Sequence, residues 1–275
     1  EKLHQKNNLK WIADFRDPWT SLYYNEDFKL GNSAKKKNKK LETAVLKNAD
    51  CVITVSNSLK KEFNKIAKNV EVITNGFDDE VLKSNKVNLD DKFTISYIGL
   101  LPKQSNPKIL FRVLEKLCRK NSELKNDLQL NFIGDISDEV KHEIDKANLI
   151  KNTNFVGYVS HKKAIEYQQK AQVLLLLIPD VKNNKGILTG KLFEYLTAKR
   201  PILAIGPEDG DLQEILKNTN SGFVIDYNDE EKLTLEIELL YERYKSGLLE
   251  VASKNTNQYH RKELTNQLSK IIKNL

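Results

Sequence analysis

The chain has 275 residues, 39% of them hydrophobic and 30% charged, with a formal net charge of +7. Its longest apolar run, Val173–Ile178, is far shorter than the roughly 20 residues that cross a bilayer as a helix, and no charged-then-apolar opening marks an export signal. A cytoplasmic globular protein is therefore expected, with Cys51 and Cys118 as buried free thiols and no Cys/His cluster able to hold a metal.

The first predicted strand, Leu9–Ala13, runs into Asp14–Phe15–Arg16–Asp17–Pro18–Trp19. This is a dense set of two carboxylates, a guanidinium and an indole, suited to holding an anion and stacking on a sugar. The basic run Lys35–Lys36–Lys37–Asn38–Lys39–Lys40 follows and reads as a solvated loop and helix start. No aromatic residues interleave with it for base stacking, so nucleic acid is not the expected partner. An anionic membrane surface is the alternative. Strands are predicted at Asp50–Val55 and Val70–Thr74, with Ser56 capping a helix over Asn57–Lys65. Asn75–Gly76 reads as a turn pair, and the polar segment from Phe77 to Lys92 as a linker.

Beyond the linker, short apolar runs alternate with amphipathic stretches, the pattern of βαβ units on a parallel sheet. Strands are predicted at Phe93–Ile98, Leu128–Ile133, Thr153–Val156, Val173–Ile178, Pro201–Ala204 and Gly222–Ile225. Helices are predicted at Pro107–Lys120, with Asn106 as cap, and at Ser160–Lys170. The tail from Asp229 reads as two or three helices. Six strands make a whole doubly wound domain, whereas the three before the linker make only part of one. The chain opens at Glu1 and contains no methionine, and both points lead us to expect that a beginning has been removed.

Ligands of open parallel sheets bind at the carboxyl ends of the strands, which directs attention to four loops. Gly99 and Lys103 follow the first strand of the larger half, and Gly134 follows the second. Tyr158 and Val159 follow the third and lead into a capped helix. The richest loop is Lys185–Leu196, where Thr189–Gly190 opens a helix whose free N–H groups suit a diphosphate. Lys191 adds charge there although it opposes the helix dipole, and Glu194 stands one turn on, able to accept two hydrogen bonds from a ribose diol.

In order and spacing, Trp11–Trp19, Ala49–Ser56, Val72–Asp78, Phe155–His161, Gly190–Leu196 and the final stretch Tyr259–Leu268 resemble the group 1 glycosyltransferases (family 4). These are retaining enzymes of the GT-B type, with two Rossmann-like domains. The resemblance covers nearly the whole chain. It implies an α/β, GT-B-like fold: a partial acceptor-side domain at 1–76, a linker at 77–92, a complete nucleotide-sugar domain at 93–254, and a C-terminal helix at 255–275 crossing back to the first domain.

The resemblance further implies that Glu194 is the second glutamate of the family's E-x7-E motif, which binds the ribose. Gly186 falls where the first glutamate would stand. Leu100 takes a position usually held by arginine, leaving Lys103 or nearby residues as the substitute that meets the diphosphate. Arg16 and Asp17 fall where relatives carry a His–Asp pair facing the reaction centre. The implied substrates are a nucleoside-diphosphate sugar, used without cofactor or metal, and a sugar or lipid-linked sugar acceptor at the inner membrane face. A sugar-nucleotide epimerase of the same fold and a non-catalytic nucleotide-binding protein are the alternatives.

Overall fold

The structure is a computed structural model and describes residues 2–22, 25, 28–79 and 88–275. Positions 80–87 of the expected linker lie outside the described residues.

A short helix, α1 (Lys2–Asn7), precedes strand β1 (Ile12–Phe15). Helix α2 (Asn32–Asn48), strand β2 (Cys51–Thr54), helix α3 (Asn57–Phe63) and strand β3 (Val70–Val72) follow. The three strands form one parallel sheet in the order β1-β2-β3. Because side chains alternate across a strand, β2 serves two cores. Val52 points to the face covered by Leu46 of α2 and Leu59 and Phe63 of α3. Cys51 and Ile53 point to the opposite face.

The second sheet has six parallel strands: β4 (Phe93–Ile98), β5 (Leu128–Ile133), β6 (Thr153–Gly157), β7 (Val173–Leu177), β8 (Ile202–Ile205) and β9 (Gly222–Ile225). Their order is β6-β5-β4-β7-β8-β9. The chain thus winds outward from β4 in one direction and from β7 in the other, and the order reverses between these two neighbours. Helices α4 (Lys108–Lys120), α5 (Ser122–Asp127), α6 (Asp138–Lys146), α7 (His161–Lys170), α8 (Gly190–Tyr195), α9 (Asp211–Thr219) and α10 (Glu230–Lys245) flank this sheet. Strand β7, Val-Leu-Leu-Leu-Leu, is buried on both faces, as a central parallel strand must be: Val173, Leu175 and Leu177 enter one core and Leu174 and Leu176 the other.

The last helix, α11 (Arg261–Lys273), does not join the second sheet. Leu264, Leu268 and Ile271 pack on Cys51, Ile53 and Ile73, closing the open face of the first sheet. The crossing is fixed by backbone: Phe77 N–H donates to Tyr259 O at 3.1 Å and Arg261 N–H to Phe77 O at 2.8 Å.

Four local expectations change. The first strand starts later than predicted, at Ile12, so Asp14 and Phe15 belong to it. The Lys35–Lys40 run lies inside α2 rather than in a loop, since lysine is a good helix former. Asn106 does not cap α4; Pro107 occupies the cap position, and the Asn106 amide oxygen is buried without a hydrogen-bond partner among the described residues. Gly76 makes no positive-φ turn. It is the point where the returning chain passes, and a Cβ there would lie 2.2 Å from Tyr259 O.

Candidate active site

A cleft of about 730 Å³ lies between the two sheets, and its walls come from segments that follow strands. Arg16, Asp17 and Pro18 follow β1, Val55 and Ser58 follow β2, and Asn75 follows β3. Facing them are 182–188, after β7, and Asp209, after β8. The carboxyl ends of both sheets therefore look into one space, which is where open parallel sheets hold ligands. Arg16 stands 3.3 Å from Asp14 and 3.4 Å from the side-chain oxygen of Asn75, so its guanidinium is aimed along the wall. The following turn is anchored by Glu42, only 2% exposed, whose carboxylate accepts the Thr20 N–H at 3.0 Å and the Thr20 hydroxyl at 2.5 Å.

At the reversal point between β4 and β7, Gly99 leaves β4 with φ of +118°, a conformation that L side chains rarely adopt. A Cβ at this position would also stand 3.0 Å from the Lys191 ammonium. Lys191 lies over the Tyr97 ring, 3.9 Å from its centroid, a cation–π contact. This contact supplies the local role that the helix dipole denies it. Burial pulls the Lys191 pKa down to about 8, against a smaller upward pull from Glu194. No carboxylate pairs with its ammonium among the described residues.

Helix α8 is pinned here by Tyr195, which is fully buried and accepts the Ile98 N–H at 3.1 Å. The helix has six residues, so its dipole is small and Lys191 carries most of the positive charge at this end. Thr189 occupies the cap position without capping, and its hydroxyl is buried with no hydrogen-bond partner among the described residues. Open space surrounds the Cβ position of Gly190. One turn on, both carboxylate oxygens of Glu194 are held: His161 Nε2 lies 3.0 Å from Oε1, and the Gln168 amide donates to Oε2 at 2.8 Å. A half-buried cation, a hydroxyl without a partner among the described residues and an oriented carboxylate thus converge within six residues, a set matched to a diphosphate ester linked to a diol.

The remaining predicted positions divide. Gly134 donates its N–H to Gly157 O at 2.8 Å and braces the Gly99 loop. Val159 packs into the core beneath α8, while Tyr158 is 93% exposed. Lys103 is not brought to Lys191; it lines another cavity with Asp138, Glu139 and Glu143. Gly186 lines the cleft, but a side chain there would be directed at the start of α3: a Cβ would lie 2.9 Å from Ser56 Oγ and 3.2 Å from Ser58 Cβ. The same seam is closed by the Ser58 N–H, which donates to Asp211 at 2.9 Å. Tyr97, Tyr195, His161 and Gln168 escape sequence reasoning. Of these, His161 stands beside the predicted cap Ser160 and Tyr195 beside the predicted Glu194, whereas Tyr97 and Gln168 adjoin no position the sequence singles out.

Solved structures of the GT-B class share this architecture. Sucrose-phosphate synthase from Thermosynechococcus elongatus matches with a TM-score of 0.70 at 16% identity, over 99% of this chain and 69% of its own. Alr3699/HepE from Anabaena, solved in complex with UDP and glucose, matches with a TM-score of 0.73 at 15% identity, over 99% and 73%. A glycosyltransferase from Rickettsia africae matches with a TM-score of 0.66 at 17% identity, over 99% and 78%. No curated protein matches the chain by sequence. The family model for glycosyl transferases group 1 matches residues 78–259, well over half of the chain. The chain belongs to this family and is a glycosyltransferase of GT-B fold.

Proposed function

We propose that the chain transfers a hexosyl unit from a nucleoside-diphosphate sugar to an acceptor hydroxyl, with retention at the anomeric carbon. In this reaction the acceptor oxygen bonds to the anomeric carbon, the bond from that carbon to the diphosphate breaks with its electron pair leaving on the diphosphate oxygen, and the acceptor's proton passes to the departing diphosphate. The observation that carries the reading is the placement on one short helix of the half-buried Lys191 ammonium, which pairs with no carboxylate among the described residues, together with the oriented Glu194 carboxylate. Lys191, with the Thr189 hydroxyl and the Gly190 N–H, meets the diphosphate and the charge that develops as it leaves, an electrostatic device of the oxyanion-hole kind. Glu194 accepts the ribose hydroxyls. Gly99 and Gly134 shape the floor, Tyr158 and Val159 border the base, and Arg16 and Asp17 face the sugar from the opposite wall. Lys103, which lines another cavity, has no part in this site.

The donor serves without a cofactor. The UDP and glucose bound by the Anabaena protein support a nucleoside-diphosphate hexose. Retention and membership of family 4 rest on the resemblance of the motifs. So does a role in building cell-surface polysaccharide or lipopolysaccharide on a sugar or lipid-linked acceptor at the cytoplasmic face of the membrane. The division into an acceptor-side unit at 1–76 and a donor-side unit at 93–254 is part of the same proposal. No helix among the described residues is long and apolar enough to cross a membrane; the contact with its surface that we propose is a peripheral one.

Calorimetric titration with UDP, GDP and ADP tests the donor site. One nucleotide is expected to saturate, and Glu194→Ala to weaken it roughly tenfold or more, the worth of hydrogen bonds to a charged group. A well-folded chain that binds none of the three would remove the proposal. Gly186 at the first glutamate position favours a second reading, nucleotide binding without transfer. Release of nucleotide from UDP-glucose only when an acceptor sugar is supplied would exclude it.

A further inference from the structure

Glu194 is the one carboxylate of the proposed donor site whose two oxygens are both engaged from outside its own helix. His161 reaches Oε1 and Gln168 reaches Oε2, and both residues lie on α7. A carboxylate has about four lone-pair sites, so two are taken and two remain. Residues 161 and 168 are two helical turns apart and lie on one face of α7, and Gln168 is 1% exposed. The pair grips the carboxylate along its edge and fixes its plane. Ser160 caps α7 by accepting the Lys163 N–H at 3.4 Å, which sets where His161 begins the helix. The His161 side chain is 54% exposed, so a packing role explains little of its placement.

We propose that His161 is a positioning residue for nucleotide recognition: with Gln168 it holds Glu194 so that its two remaining lone pairs meet the ribose 2′- and 3′-hydroxyls together. The inference rests on the reading of Glu194 as the ribose acceptor. It assigns His161 no contact with the reacting atoms. Removing His161 frees the carboxylate to rotate, and the two ribose bonds are then no longer made in one geometry. What is lost is discrimination for the ribose diol rather than binding of the diphosphate, which belongs to Lys191.

Competition between UDP and 2′-deoxy-UDP, with the GDP and ADP pairs in parallel, reads this directly. The wild-type chain is expected to prefer its ribonucleotide over the deoxy form by roughly tenfold. His161→Ala is expected to reduce the preference to about threefold or less with the melting temperature unchanged. His161→Gln, whose amide N–H reaches about as far as Nε2, is expected to restore it. If His161→Ala keeps the full preference while Glu194→Ala loses it, the positioning role is wrong and the donor site stands. If the wild-type chain binds no nucleotide, or Glu194→Ala leaves the preference intact, the reading of Glu194 falls and the inference with it.

Discussion

Lys191 is placed where a lysine is least comfortable. Its half-buried ammonium lies over an aromatic ring and pairs with no carboxylate among the described residues, and burial lowers its pKa to about 8 from 10.5. The sign of the consequence for stability is fixed. Below pH 8 the folded and unfolded chains both hold the proton, and the folded chain bears the whole desolvation cost. Between pH 8 and 10.5 the unfolded chain holds a proton that the folded chain has released, so stability rises with pH; above 10.5 the effect is complete. Lys191→Met keeps the length and removes the charge. It is expected to stabilise the ligand-free protein by on the order of 1–3 kcal/mol at pH 7, with the gain vanishing by about pH 10.5, while diphosphate affinity falls. Urea unfolding at both pH values checks it, and a variant less stable than wild type at pH 7 would show that the Tyr97 contact outweighs desolvation. Such a residue was half legible in the sequence. A lysine in the first turn of a helix is unexpected on dipole grounds, which marks it, but Tyr97 is 94 positions away and no local rule connects them. The contact of His161 with Glu194 was hidden for the same reason: a hydrogen bond across 33 residues leaves no periodicity.

At the scale of elements, the loop after β7 carries the most consequence. Its 3₁₀ turn, Asn184–Gly186, is docked against the start of α3, and Ser56 there caps α3 by accepting the Leu59 N–H at 3.3 Å. Lys185 is paired with Asp209, which turns its charge toward α9. A glutamate at 186 would therefore have to displace the cap of α3. Gly186→Glu is expected to cost about 1–3 kcal/mol, the range for overpacking a close contact, and to leave transfer from UDP-glucose no faster. A stable variant with raised transfer would show instead that position 186 opens to the donor sugar. The strands were legible because each parallel strand is a short apolar run bounded by turn residues, and eight of the nine begin within a residue or two of expectation. The exception is β1, where Leu9 is 54% exposed and the pairing with β2 starts at Ile12. Apolar character alone cannot tell an exposed leucine from a strand residue.

For the whole molecule, the decisive element is the last one. The three-stranded sheet has α2 and α3 on one face only, and a parallel sheet needs both faces covered. Helix α11 supplies the second cover from the far end of the sequence, so the part of the chain before Phe77 and the tail after Tyr259 share a core. The surface ion pair Arg261–Asp78 at 3.1 Å and the hydrogen-bond contact of His260 Nε2 with Asp79 at 3.0 Å contribute little beside this burial. Leu264 is 8% exposed against Cys51, Ile53 and Ile73, and Leu264→Ala is expected to destabilise by about 2–4 kcal/mol. The loss should be local. Hydrogen exchange followed by mass spectrometry is expected to show β2 and β3 losing protection while β4 and β7, covered by α4 and α10 on one side and α8 on the other, keep theirs. Because Arg16, Asp17 and Asn75 sit on the weakened sheet, the cleft would lose one wall while nucleotide binding at Lys191 and Glu194 persisted. Uniform loss of protection across both sheets would instead mean that they unfold as one unit, and that the seam at Gly186 and Asp211 couples them more tightly than the contact of α11 with the first sheet.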